Sequence, residues 1–153
     1  MKEKRIQTPY DDLTYRIIGC AMAVHRHRGP GYREDTYQRD LEVHFAESAL
    51  TYEPQKLLEV YDSAQGGVLV GYYIPDFIVE DTVVVEIKAL PDLSDSHVAQ
   101  VIGYLAVTNC PVGLLINFGR RSLQWRRILP PRNITEHRIN RQWLFVPEWL
   151  KPE

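Results

Sequence analysis

The chain has 153 residues, about one domain, and its 44% hydrophobic and 25% charged content supports a proper core and excludes a largely disordered chain. Net charge is −2, but residues 1–119 carry 10 Lys+Arg against 17 Asp+Glu and residues 120–153 carry 8 against 3, so a uniformly basic nucleic-acid footprint is excluded and a basic C-terminal patch is not. The two cysteines, Cys20 and Cys110, form no Cys-x-x-Cys pair, which excludes a disulfide scaffold and a cysteine-built zinc or iron–sulfur site within one chain.

The first residues, MKEKRIQTPYDD, are charged and hold no apolar run, so no secretory leader is expected and a reducing cytoplasm is the expected setting. Asp11 or Asp12 is placed to cap a helix running to about Arg28, with Leu13, Ile17, Cys20/Ala21 and Val24 at helical spacing. Gly29-Pro30-Gly31 ends it. A second helix is expected from about Arg33 to Leu50, on a stripe of Tyr37, Leu41, His44/Phe45 and Ser48/Ala49.

The period then changes. Lys56–Tyr61 reads as a strand and Ala64–Gly67 as a turn. Val68–Ile74 and Phe77–Val79 are strand material, and Thr82–Ala89, rich in β-branched residues, is a strand. After the loop Pro91–Asp95, with Ser94 or Asp95 as N-cap, comes a helix Ser96–Val107 burying Val98, Val101, Ile102 and Leu105. Val112–Phe118 is a continuous apolar run, as for a strand covered on both faces. Val98–Phe118 holds no charge, but Thr108-Asn-Cys-Pro111 breaks it, so it reads as helix, turn and strand, not a membrane span. Ser122–Leu129 is one more strand. The order α-α-β-β-β-α-β-β indicates an α/β or α+β sheet with helices packed on it.

The segment YYIPDFIVEDTVVVEIKAL is the most informative. Strand side chains alternate faces, so Val84, Glu86 and Lys88 share one face and Val83, Val85 and Ile87 the other. Charge buried in an apolar strand is costly unless paired or bound to metal. A two-residue hairpin loop at Glu80-Asp81 sets Asp76 and Glu86 on opposite faces. A three-residue loop, Glu80-Asp81-Thr82, pairs Val79 with Val83, Phe77 with Val85 and Asp76 with Glu86. Directly opposed residues have Cβ atoms about 4.5–5.5 Å apart. Two carboxylates that close repel unless a cation lies between them. The odd loop and a divalent cation, Mg²⁺ or Mn²⁺, are therefore expected. The alternative is an exposed hairpin with a Glu–Lys cross-strand pair.

Other polar groups have two readings each. Gln100 and Tyr104 are an i, i+4 pair off the apolar stripe, with His97 one turn earlier; they belong to a site or to a solvated helix face. Glu34 and Tyr37 are an i, i+3 pair, where Glu34 is functional or a first-turn acid favoured by the helix dipole. Around Gly29–Gly31 lie His25, Arg26, His27, Arg28 and Arg33. Arg26, Arg28 and Arg33 are placed to hold nucleic-acid phosphates, or form a solvated helix end.

Gly31-Tyr-Arg-Glu34-Asp-Thr-Tyr37 resembles the signature of the bacterial GxxExxY proteins, members of the PD-(D/E)XK nuclease superfamily. Pro75-Asp76 followed by Glu86-Ile87-Lys88 is similar to that superfamily's split motif. Gln100-Val-Ile-Gly-Tyr104 resembles the Gln-x-x-x-Tyr motif of its RecB and lambda-exonuclease-like branch, and Leu115–Gly119 resembles its last core strand. The resemblance covers about residues 10–128. It implies a restriction-endonuclease-like αβββαβ core, a mixed central sheet flanked by helices. It implies Asp76 and Glu86 as metal ligands, the Ile87 carbonyl as a third, and Glu34 completing the site directly or through water. It implies that Lys88 orients or activates the attacking water or stabilises the scissile phosphate, and that Gln100 and Tyr104 position the site or the nucleic acid. His25 is a weaker ligand candidate.

The expected function is thus metal-dependent hydrolysis of phosphodiester bonds in DNA by a nuclease domain over 1–129. The acidic body disfavours tight duplex binding, so the expected partner is single-stranded, end-bearing or branched DNA. Tyr32 and Trp125 are candidates for base stacking, with packing as the commoner role. A C-terminal extension, 130–153, with Trp143, Phe145 and Trp149, is expected to pack on the domain, or to contact a partner protein or a second copy. The alternative function is a nuclease-fold binding or regulatory module without useful hydrolysis. A metal-stabilised structural protein is a poorer reading, because Lys88 beside a ligand adds nothing to stability.

Overall fold

The computed structural model describes residues 7–62 and 68–130. The expected turn at 64–67 and the expected packing of the extension, including Trp143, Phe145 and Trp149, lie outside the described residues. Helix α1 spans Asp11–Arg28 and α2 spans Glu34–Glu47. On α1, Ile17, Ile18, Cys20, Ala21 and Val24 recur at helical spacing and are buried. Asp11 and Asp12 sit in its first turn and His25–Arg28 in its last, the charge order that suits the helix dipole. The expected cap differs. Tyr10 occupies the N-cap position, while Asp11 accepts hydrogen bonds from the Thr8 amide and hydroxyl and pairs with Arg127. Helix α2 stops at Glu47, short of the expected Leu50, because Ala49 turns left-handed at φ 56°.

Strand β1 is Tyr52–Pro54, β2 is Leu58–Asp62, β3 is Val68–Tyr73, β4 is Phe77–Val79 and β5 is Val83–Lys88. Helix α3 is Asp95–Thr108, and β6 and β7 are Val112–Asn117 and Gln124–Ile128. The main sheet runs β1-β4-β5-β6-β7, and β2 and β3 form a separate antiparallel pair. The fold is α+β, with a mixed five-stranded sheet flanked by helices. Among the described strands, only β5 and β6 pair in parallel, as a crossover through α3 requires. Strand β1 carried no sequence signal: it holds Pro54 and Glu53, and it forms because an edge strand tolerates proline. The strand material at 68–79 splits between the two sheets at Ile74-Pro75-Asp76, where proline restricts the residue before it.

The main sheet separates two apolar layers. Val83, Val85 and Ile87 of β5 meet α1 and α2 through Ile17, Val24, Tyr37, Leu41 and Phe45. Val84 on the other face meets Val101, Tyr104 and Leu105 of α3. The strand therefore alternates as expected, and Glu86 and Lys88 face the α3 side. Ser94 caps α3 in a reciprocal pair with His97, and Asn109, left-handed at φ 58°, ends it. No helix among the described residues is long and apolar enough to cross a membrane.

Candidate active site

The hairpin β4–β5 takes the odd loop. Phe77 pairs with Val85, Ile78 with Val84 and Val79 with Val83, leaving Glu80, Asp81 and Thr82 as the turn. Glu80 and Asp81 are both left-handed, at φ 52° and 50°. That register carries Asp76 opposite Glu86. The Asp76 amide donates to Glu86 Oε1 at 3.1 Å, and the Ile87 amide donates to Asp76 Oδ2 at 2.8 Å. The two-residue loop and the exposed hairpin are both overturned: Glu86 is 5% exposed.

Burial pushes the Asp76 carboxyl above its ordinary range. It pushes Glu86 up further, and the facing Asp76 adds to the rise. Lys88 Nζ lies 3.6 Å from Glu86 Oε2 and pulls the other way without prevailing. The two acids, Glu86 buried and Asp76 half-buried, thus share the Lys88 cation, and the pair gains by taking up positive charge.

Helix α3 completes this side. Lys88 Nζ donates to Gln100 Oε1 at 3.1 Å, and Gln100 Nε2 donates to the Tyr104 hydroxyl at 3.0 Å. Tyr104 is 6% exposed, and burial raises its phenol's pKa. Gln100 and Tyr104 are thus an anchored strut behind Lys88, not a solvated helix face. His97 lies near the same charges: burial and then the Lys88 ammonium lower its pKa.

Glu34, at the first residue of α2, accepts from the Ala89 amide at 3.3 Å, just past the end of β5. Its charge reaches Asp76 and raises that carboxyl. Among the described residues, however, no three His, Cys, Asp or Glu side chains converge as a metal cluster. Glu34 stands near the acidic pair without joining it.

Other expected residues fall elsewhere. His25 is buried, with Nε2 on the Arg120 carbonyl at 2.8 Å and its ring tilted against Phe118. Arg28 is paired with Asp40 at 2.7 Å and lies over the Tyr32 ring. Arg33 is exposed beside Asp35 at 3.8 Å, and Arg26 is exposed. Arg28 is thus engaged by Asp40, while Arg26 and Arg33 are exposed. Tyr32 and Trp125 are both partly exposed, and Tyr32 rests edge-on against Tyr37.

Residues 11–128 match the family model of the PD-(D/E)XK nuclease superfamily. The chain belongs to that superfamily. Among solved structures it is similar to the crystal structure of SSO0001, at 21% identity and a TM-score of 0.51. The match covers 63% of this chain and 50% of that one, so this chain spans half of that protein's length, and the likeness is one of fold. A comparison with curated proteins gives no match.

Within this PD-(D/E)XK chain, the sequence places Tyr37 on the helix stripe and in the Glu34 pair without its structural role, and assigns Asn117 none. Tyr37 is fully buried, stacked on Phe118 at 4.5 Å, and its hydroxyl donates to the Gly29 carbonyl at 2.6 Å and accepts from the Tyr32 amide. It pins the glycine turn that delivers Glu34. Asn117 is fully buried at the end of β6. Its amide holds the Leu90 N–H and C=O, both at 2.9 Å, the Gly119 N–H at 3.0 Å and Gln124 Oε1 at 3.0 Å. It clamps the chain leaving β5, next to Lys88. A polar residue closing an apolar strand was the available signal.

Proposed function

We propose that this chain is a metal-dependent nuclease that hydrolyses phosphodiester bonds in DNA, and that within its superfamily it stands with the GxxExxY proteins of the RecB and lambda-exonuclease-like branch. The observation that carries the reading is the Asp76–Glu86 pair, with Lys88 on the same strand face. The residues fit a hard divalent cation such as Mg²⁺ or Mn²⁺. Mg²⁺ is commonly held by one or two carboxylates, with waters and substrate phosphate oxygens filling the other positions. Asp76 and Glu86 would hold it, with the Ile87 carbonyl and Glu34, directly or through water, as further donors. When bound, the ion lowers the pKa of coordinated water and offsets charge developing on the phosphoryl group.

The protein's own part is position and electrostatics. Asp76 and Glu86 are fixed by the backbone amides of Ile87 and Asp76. Lys88 presents a cation to the phosphate or to the attacking water, and Gln100, braced by Tyr104, fixes where that cation points. A cytoplasmic setting suits Cys20 and Cys110, which are buried, free thiols. A second reading, a nuclease-fold module that binds without cutting, is favoured by one observation: Glu34 is spent on the Ala89 amide. The test is cleavage of single-stranded, duplex and branched DNA in Mg²⁺, Mn²⁺ and EDTA. Cutting with metal and none in EDTA supports the nuclease. Nucleic-acid binding without cutting in any condition supports the module.

A further inference from the structure

A cleft of about 310 Å³ opens beside the proposed catalytic strut, lined by Tyr72, Tyr73, Ile74, Gln100 and Tyr104. We propose that this cleft seats one unpaired nucleobase, so that the substrate is single-stranded where it is cut. The inference rests on the nuclease reading and names its substrate class.

Three features of the cleft support it. The first is continuity with the proposed site. Gln100 lines the cleft and also accepts from Lys88 Nζ at 3.1 Å. Ile74 lies two residues before Asp76 on the same chain. A strand whose phosphate sits at the carboxylate pair therefore has its neighbouring base beside Tyr72 and Tyr104.

The second is the chemistry of the walls. The described lining holds three tyrosines, one isoleucine and one glutamine, and no charged side chain. It therefore suits a neutral, flat, aromatic group and gives a phosphate nothing to pair with. Tyr72 is 53% exposed and Ile74 49% exposed, an apolar surface that a stacking base would cover. Tyr73 and Tyr104 meet edge to face at 5.6 Å, with burial raising the pKa of both phenols. The Gln100 amide and the Tyr104 hydroxyl supply polar atoms for a base edge.

The third is size and charge. The volume lies at the lower end of small-ligand sites, about 300–1,000 Å³. A base fits there; a duplex does not enter. The net negative charge of residues 1–119 also disfavours a long duplex track. Stacking on an aromatic side chain is sequence-tolerant and needs no basic groove at the base itself.

The test uses the full chain carrying Glu86→Gln, in Mg²⁺, so that binding is read without cutting. The probe is a single-stranded oligonucleotide with one 2-aminopurine, followed by anisotropy and by fluorescence quenching, beside the same sequence as a blunt duplex. The expected result is tighter binding of the single strand with the fluorescent base quenched. Tyr72→Ala should weaken that binding about fivefold or more and abolish the quenching, and Tyr72→Phe should restore both. Tyr72 is half-exposed, and Tyr72→Phe keeps its ring, so misfolding is distinguished from loss of stacking. Unchanged single-strand binding by Tyr72→Ala, a preference for duplex, or no binding of either probe overturns the proposal. The two readings fail separately. Metal-dependent cutting of duplex by the Glu86-bearing chain, indifferent to Tyr72, upholds the nuclease and overturns the cleft. Tyr72-dependent binding of single strands by a chain that never cuts does the reverse.

Discussion

Asp76 and Glu86 face each other across β4 and β5, each tied to the other's strand by a backbone amide. The arrangement depends on one residue of loop length. With the turn at Glu80, Asp81 and Thr82, both acids fall on the α3 face; with one residue fewer they separate. Their burial makes both hard to ionise together, which ties stability, pH and metal binding to one another.

Neutralising Glu86 should stabilise the metal-free protein. Glu86→Gln keeps the acceptor for the Asp76 amide and removes the repulsion, so unfolding free energy should rise by about 1 kcal/mol, with activity lost. Denaturant melts in EDTA check the first half and a cleavage assay the second. In Mn²⁺ the order should reverse, because only the parent gains from the ion.

The metal-free protein should lose stability as pH rises. Glu86 has a folded pKa above its ordinary 4.5. Its contribution is therefore fully present below that ordinary value and is lost as pH rises through the folded value. Melting temperatures in EDTA should fall from mildly acidic to mildly alkaline pH. Saturating Mn²⁺ should flatten that fall, since metal binding displaces the proton. A melting temperature that rises across this range in EDTA would contradict the buried-pair account.

Lys88 and Gln100 should differ in size of effect. Lys88→Ala removes the cation that the proposed mechanism sets against the reacting phosphate and should lower kcat by about 10²–10³. Gln100→Ala should cost less, because it only frees the Lys88 ammonium from its 3.1 Å partner. Tyr104→Phe removes the brace on Gln100 and should show a still smaller loss, with the fold intact. Steady-state kinetics on one substrate orders the three.

Asn117→Ala should be a folding defect. It leaves the partly buried Leu90 N–H and C=O and Gly119 N–H without their partner and empties the fully buried site of the Asn117 side chain. A cost of about 1–3 kcal/mol follows, since an unsatisfied buried group costs about that much and these groups are partly buried. Gly119→Ala should fail in the same place, because a Cβ there lies 2.3 Å from the Leu90 backbone. Thermal melts of both variants, in EDTA to exclude metal effects, check this.

Alternation and spacing made the central hairpin legible. Val83, Val85 and Ile87 demanded one face, which left Glu86 and Lys88 on the other, and only the odd loop made Phe77 and Val79 coherent with them. The helices were legible from their apolar stripes, with errors at the ends, where Ala49 and Tyr10 follow backbone conformation. Strand β1 was not legible, because Tyr52–Pro54 owes its existence to its partner β4. The roles of Asn117 and Tyr37 depend on contacts with Leu90 and Phe118, far along the chain; a polar residue at the end of an apolar strand marks Asn117 without naming its partner, and no local pattern announces the contact of Tyr37. His25 and Arg28 looked available in sequence, but the fold uses them on Arg120 and Asp40.

The measurement that bears most directly on the account is DNA cleavage in Mn²⁺ by the parent and by Glu86→Gln, expressed and purified identically. The account predicts cutting by the parent, abolished by EDTA, and none by Glu86→Gln, whose melts in EDTA show it folded and no less stable than the metal-free parent. Equal cutting by both proteins would contradict it, because the acidic pair would then play no part in the chemistry.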